Sequence, residues 1–205
     1  MADKIAQEIV DFDKYPELQK TGENKGNKVE IFTPFFIVQD MVKCIGDKYV
    51  SDITHTILEP SSGDGAFTVY ILELRLKGIW KNDKTHYLQK SLQALSTIYS
   101  IEMNEPLIKK QRSNIYSLLC YFAKTHKIIL TEEYLKLAKE IIATNFMWAE
   151  TNIKSKPNLS LYDIEIAWYM PESNKKTNNA VKFAKWNIDE DLNYTVNFEE
   201  AEIGE

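Results

Sequence analysis

Two cysteines in 205 residues leave no disulfide framework to hold a small scaffold together. Both, Cys44 and Cys120, fall in apolar helical patterns, the usual setting of buried free thiols. Three histidines, His55, His86 and His126, stand apart from one another and from the cysteines, so no cluster has metal-ligand spacing and no metal is expected. No apolar run is long enough to cross a bilayer. The opening MADKIAQEIV carries no basic stretch followed by a long apolar one, so a secretory signal is not expected and a cytoplasmic location is. Basic charge is in deficit: 25 Lys and Arg against 30 Asp and Glu give a net charge of −5. A domain that grips nucleic acid alone normally carries a basic face, because phosphate neutralisation supplies much of the affinity. The balance here weighs against tight independent DNA binding. No internal repeat is evident.

What remains is ample for a packed core. The chain is 44% hydrophobic and holds 4 Trp, 11 Tyr and 9 Phe, a composition that favours a folded α/β or α+β chain over disorder. The length suits one domain with an appendage. Residues 1–28 read as a short amphipathic helix (Ile5, Ile9, Val10 and Phe12 apolar) and a polar, glycine-bearing loop. A helix from about Phe35 to Tyr49 follows, with Thr33 as its N-cap and Pro34 as its first residue. Thr56–Glu59 reads as a strand, and Ala66–Lys77 as a helix stopped by Gly78. Another short helix is suggested by Tyr87, Leu88, Leu92 and Leu95. Ser96–Glu102 reads as a second strand and Glu105–Lys124 as a long helix. Thr131 with Glu132 and Glu133 opens a helix to about Glu140. Ile141–Phe146 reads as a short strand and its exit. Tyr162–Tyr169 alternates as a strand, 171–180 is a polar connection, and Lys182–Trp186 and Tyr194–Phe198 are short strands. An acidic tail covers 199–205. Strands alternating with helices predict a mainly parallel sheet with helices on both faces in a domain spanning 29–198.

Within that pattern one segment stands out: Ile57-Leu58-Glu59-Pro60-Ser61-Ser62-Gly63-Asp64-Gly65-Ala66-Phe67. Apolar residues lead into it, glycines turn the chain, and a helix follows. Strand, glycine turn and helix together place a small ligand against exposed backbone N–H groups at a helix N-terminus. Glu59 sits too early to cap that helix and is placed to meet a positive group on the ligand. Glu102 ends the second strand, where a carboxylate reaches the hydroxyls of a ribose bound over the first strand's turn. Charge-assisted hydrogen bonds of that kind contribute roughly 1.5–3 kcal/mol each. The dinucleotide fingerprint G-x-G-x-x-G is not matched, because the third glycine is missing and an acid, Asp64, lies in the turn. An acid suits a ligand with a positive centre better than a pyrophosphate.

These segments carry a resemblance. Ile31-Phe32-Thr33-Pro34, Val38, Met41 and Val42, followed by the Glu59–Phe67 segment, resemble the opening of the adenine-N6 DNA methyltransferases of restriction–modification systems. The likeness covers roughly residues 28–148. It implies a class I methyltransferase-like, Rossmann-type fold, truncated here, with S-adenosylmethionine as cofactor. In that family a Thr-Pro segment packs over the methionine end of the cofactor, and the glycine segment forms its floor. Ile98–Glu102 is similar to the ribose-binding strand. Asn145-Phe146 stands where the family has an Asp-Phe or Asn-Phe pair beside the adenine. The implied cofactor-binding residues are Thr33, Pro34, Glu59, Pro60, Gly63, Asp64, Gly65, Phe67, Glu102, Asn145 and Phe146.

The family's catalytic segment, (Asn/Asp/Ser)-Pro-Pro-(Tyr/Phe), does not occur in the chain. Its chemistry is to accept the protons of an exocyclic adenine amine and aim the lone pair at the methyl group, with the aromatic residue stacked on the flipped base. The nearest counterpart is Tyr162–Ala167 followed by Trp168-Tyr169-Met170-Pro171. Trp168 and Tyr169 read either as core or interface aromatics or as a stacking platform. Phe67 reads equally as core. The resemblance implies DNA as partner, with a second protein subunit supplying the missing catalytic and target-recognition parts. The alternative is a catalytically inactive relative acting as a regulatory partner or decoy.

Overall fold

The structure, a computed structural model, describes residues 33–155, 162–169, 176–177 and 182–200. The expected N-terminal helix and loop, Ile31-Phe32, Met170-Pro171 and residues 201–205 of the tail lie outside the described residues.

Pro34 holds the N-cap position of α1 (Phe35–Ile45) with φ −57° and no side-chain cap, so Thr33 does not cap it. Gly46, at φ +102°, breaks the expected helix to Tyr49 and starts a separate short α2 (Asp47–Ser51). β1 (Ile57–Glu59) leads to the glycine turn and α3 (Ala66–Asn82). Gly78 does not stop α3: buried Ile79 and core-packed Trp80 carry its apolar pattern past the glycine. Then come α4 (Tyr87–Ser96), β2 (Ile98–Glu102), α5 (Glu105–Thr125) and α6 (Glu132–Asn145). Thr131 caps α6 as its sequence requires, accepting the Tyr134 N–H at 3.2 Å. The helix runs five residues beyond Glu140, because Leu137, Ala138, Ile141, Ile142 and Asn145 form one buried helical stripe. Ile141–Asn145 is therefore helix rather than strand, and Phe146 begins a strand rather than leaving one.

That strand is β3 (Phe146–Ser155), followed by β4 (Tyr162–Tyr169), β5 (Lys176–Thr177), β6 (Lys182–Ile188) and β7 (Tyr194–Glu200). Strand β7 takes in Glu199 and Glu200, which the sequence assigns to the tail. One sheet has the order β1-β2-β3-β4-β5, and β6–β7 form a separate hairpin. β1, β2 and β3 are parallel, whereas β4 and β5 add antiparallel, so only the first half of the sheet is parallel.

Among the described residues the helices do not cover both faces. β1, β2 and β3 follow one another in the same direction, and right-handed crossovers that step the same way put every connecting helix on the same side. Ile98 packs with α3, α4, α5 and α6 in one core cluster, on the face shared with Ser100 and Glu102. The opposite face meets the β6–β7 hairpin. Tyr99 donates its hydroxyl to the Ala184 carbonyl at 2.6 Å and meets Phe183 edge-on at 5.2 Å, while Ile101, Met147 and Ala149 form a second cluster with Phe183.

Arg75 fastens the N-terminal end of the sheet. It is 0% exposed, and all five of its N–H groups are used. Nε donates to Val50 O (2.9 Å), Nη1 to Ala94 O (3.1 Å) and Thr97 Oγ1 (2.8 Å), and Nη2 to Asp52 O (3.2 Å) and His55 O (2.7 Å). Burial pulls its pKa down to about 10, which leaves it charged at neutral pH. The two thiols are not both buried: Cys44 is exposed and Cys120 is partly so. Among the described residues no helix is long and apolar enough to cross a membrane.

Candidate functional site

The C-terminal ends of β1 and β2 build the site. Glu59 is level with Ser100, and Glu102 lies two residues farther along β2. Both carboxylates therefore leave the same face, about 8 Å apart at the backbone by strand geometry. Between them the turn folds tightly: the Ser62 N–H donates to Ile101 O (3.0 Å) and the Gly65 N–H to Ser62 O (2.9 Å). Gly63 and Gly65 stand at φ +57° and +89°, a region that side-chain-bearing residues enter at a cost. A Cβ on Gly65 would lie 2.4 Å from Gln111 Cγ, so this glycine is required by close approach as well as by conformation.

Glu102 is 7% exposed. Its Oε2 accepts the Gly63 N–H and its Oε1 the Asn104 N–H, each at 2.7 Å. The acid at the tip of β2 thus holds the glycine turn directly, and each oxygen keeps a further lone pair for a ligand hydroxyl. Glu59 is in a different state. Its Oε2 is enclosed and has no hydrogen-bond partner. The Thr68 N–H, in the first turn of α3, faces the carboxylate and favours its charged form, so this acid interacts with the helix start although it precedes the cap position. Burial outweighs that help and, with the charges of Asp64 and Glu102 nearby, pushes the Glu59 pKa up to about 8. A buried carboxyl oxygen without a donor costs roughly 1–3 kcal/mol or more. A ligand bearing a positive centre or an N–H would satisfy it.

Helix α5 braces the turn from outside. Lys110 pairs with Asp64 at 2.9 Å, Asn114 donates to the Asp64 carbonyl at 3.2 Å, and buried Gln111 lies between them along the chain. Pro60 is partly buried beside the turn. Phe67 is partly buried and packs against the main core. Thr33 is exposed and Pro34 partly buried; α1 is tied to α3 by Phe35 meeting Tyr70 edge-on at 5.3 Å.

Asn145 and Phe146 do not join this site. Asn145 ends α6 and reaches back to the N-terminal end of β2. Its Nδ2 donates to Ser96 O (2.9 Å) and Ile98 O (3.2 Å), and its Oδ1 accepts from Trp186 Nε1 (3.0 Å). Phe146 is fully buried in the core. The residue of β3 level with Glu102 is Trp148, whose indole N–H donates to Met103 O at 3.0 Å, while Met103 itself is 48% exposed. Trp148 and Gln111 are the residues that the sequence reading missed. Gln111 had a signal: it occupies the core stripe of α5 between Ile108 and Ile115. β4 runs antiparallel beyond β3, with Trp168 level with Ala149. That backbone stands three strand spacings from β1, about 14 Å. Among the described residues no group of His, Cys, Asp and Glu could hold a metal ion.

Compared with family models, with curated proteins and with solved structures, the chain matches none.

Proposed function

We propose that this chain binds S-adenosylmethionine on the turn between Glu59 and Phe67, as part of a DNA-modifying methyltransferase of the adenine-N6 type. The observation that carries the reading is the enclosed, unpartnered Oε2 of Glu59 at the foot of the turn, beside an acid on the next strand. A ligand with an ammonium or sulfonium centre near Glu59 and a ribose diol near Glu102 uses both. Exposed Met103 and the Trp148 ring, next to Glu102, supply apolar surface for a purine. The bound cofactor would supply an electrophilic methyl group. The chain's own residues would orient it: Glu59 takes the positive end, Glu102 the diol, and the turn's backbone lies beneath.

A specific observation favours leaving catalysis to a partner. The strand nearest in pattern to the catalytic one, β4, stands on the far side of the sheet from β1. The outer edge of β1 has no strand partner among the described residues. Helix α1 presents Ile37, Met41 and Ile45, at 36–52% exposure, to solvent. A second polypeptide that carries the proton-accepting segment and the target-recognition region would complete the site.

Calorimetric titration of the purified chain with S-adenosylmethionine tests the binding step. Saturable heat is expected, lost in Glu59→Ala and reduced in Glu102→Ala; no heat from the unaltered chain defeats the proposal. Transfer of a labelled methyl group to adenine-containing DNA is expected only when a partner polypeptide is added. Sustained turnover by the chain alone would refute the division of labour.

A further inference from the structure

Gln111 is a polar residue in an apolar place. Its neighbours along the stripe, Ile108, Ile115 and Leu118, are core residues, and Gln111 itself is 0% exposed. A buried amide is tolerated when its donors and acceptors are used. Here Oε1 accepts from Ser62 Oγ at 2.8 Å and from Ser100 Oγ at 3.2 Å. Nε2 donates to Thr68 Oγ1 at 2.8 Å, and the Thr68 hydroxyl donates in turn to Gly65 O at 3.0 Å. One side chain therefore joins the start of the turn, its end, the strand beneath it and the first turn of α3. Its Cγ also fills the space where Gly65 would carry a Cβ.

We propose that Gln111 is the positioning residue of the ligand turn: it sets the backbone of Ser62–Gly65, and through Thr68 the start of α3, without touching the ligand. This rests on the proposed cofactor reading of the turn. The polarity of the amide is what matters, because the serines need an acceptor and Thr68 needs a donor. A side chain of equal shape without that polarity fills the hole and lets the hydroxyls turn to fallback acceptors. Ser62 Oγ has Ile101 O at 3.4 Å, and Thr68 keeps Gly65 O. The fold then survives while the turn is no longer held in one arrangement. Ligand sites that depend on backbone groups lose affinity when the supporting side chains are loosened.

The test compares Gln111→Met with Ile115→Val, a change on the same helix face that leaves the amide intact. Two quantities are read: affinity for S-adenosylmethionine by calorimetry, and the backbone amide resonances of Gly63, Asp64 and Gly65 in the ligand-free protein. Gln111→Met is expected to weaken binding by at least about ten-fold and to shift those amides, whereas Ile115→Val stays within about two-fold. Gln111→Asn, which keeps the amide but shortens its reach, is expected to behave like Gln111→Met and serves if that variant does not fold. Unaltered affinity and unmoved amides in the variant overturn the inference. If the unaltered chain does not bind S-adenosylmethionine, the cofactor reading fails, and the amide resonances still decide whether Gln111 sets the turn.

Discussion

The two ends of the parallel strands both bury hydrogen-bonded polar side chains, but Glu59 at the C-terminal end is in a different state from the rest. At the N-terminal end Arg75 and Asn145 have their polar groups engaged. Arg75 spends five N–H groups on four carbonyls and a hydroxyl, and Asn145 makes three hydrogen bonds. At the C-terminal end Glu59 keeps a buried oxygen with no partner, and the neighbouring acid holds the turn while retaining capacity to accept more. A saturated network joins elements together; a buried oxygen without a donor costs roughly 1–3 kcal/mol until something supplies one. The contrast is the physical ground for the proposed binding role of the turn.

The largest expected effect lies at the saturated end. Arg75→Met leaves its acceptors facing an apolar side chain, and each buried orphan costs about 1–3 kcal/mol. A loss of at least ~3 kcal/mol in urea unfolding is expected, and Arg75→Lys should not restore it, because one ammonium cannot reach acceptors spread for a planar fork. A loss under ~1 kcal/mol would mean that the carbonyls find water and that the network is not a fastening.

Next comes a comparison inside the turn. Gly63 and Gly65 both have positive φ, but a Cβ on Gly63 meets nothing within 4 Å, whereas one on Gly65 runs into Gln111. Gly63→Ala carries only the conformational strain, about 1–2 kcal/mol. Gly65→Ala adds the cost of overpacking, about 1–3 kcal/mol more. Equal losses in chemical denaturation would show that the Gln111 contact is not tight.

Glu59 sharpens the contrast through pH. Its carboxyl ionises near 4.5 in an ordinary setting and near 8 in the fold. Between these values the folded chain keeps a proton that the unfolded chain has released, so stability contributed by this group falls as pH rises from about 4.5 to about 8 and stays low above that. Glu59→Gln removes the titration. The variant is expected to melt higher than the unaltered chain at pH 9, by about 2–4 °C for each kcal/mol recovered, and the gap should close toward pH 4. A gap that is flat with pH would show that Glu59 is ordinarily solvated. A stabilising substitution that abolishes ligand binding is what a site poised for a partner predicts.

How much of this was legible depended on whether local chemistry or long-range packing made the decision. The glycine turn, its two flanking acids and the capped start of α6 were readable, because each is settled by a few consecutive residues. Thr33 and Gly78 misled for the same reason: cap and stop signals are weak local preferences, and α1 begins after Pro34 while α3 continues because Ile79 and Trp80 have core to bury. The strand reading of Ile141–Asn145 gives way to helix because a strand and the last turn of a buried helix look alike in Ile-Ile-Ala-Thr-Asn-Phe, and only tertiary packing distinguishes them. The one-sided arrangement of helices follows from strand order, which no local pattern records.

The smallest expected effect tests two consecutive residues of α5 that both reach the turn. Lys110 meets Asp64 at 2.9 Å, but its side chain is 53% exposed, so water and salt compete for both charges. Exposed pairs of this kind contribute about 0.2–1 kcal/mol. Gln111 makes neutral hydrogen bonds and is fully buried, and for a buried group an unmade bond costs more than an exposed charge pair gains. Lys110→Met is therefore expected to change unfolding free energy by no more than ~0.5 kcal/mol, and less in added salt, while Gln111→Met costs about 1–3 kcal/mol. The reverse ranking would mean that the turn is held from the surface by charge rather than from beneath by an amide. Ligand affinity would then vary with ionic strength, and the distinction between a saturated end and an unsaturated one would have to be redrawn around Asp64.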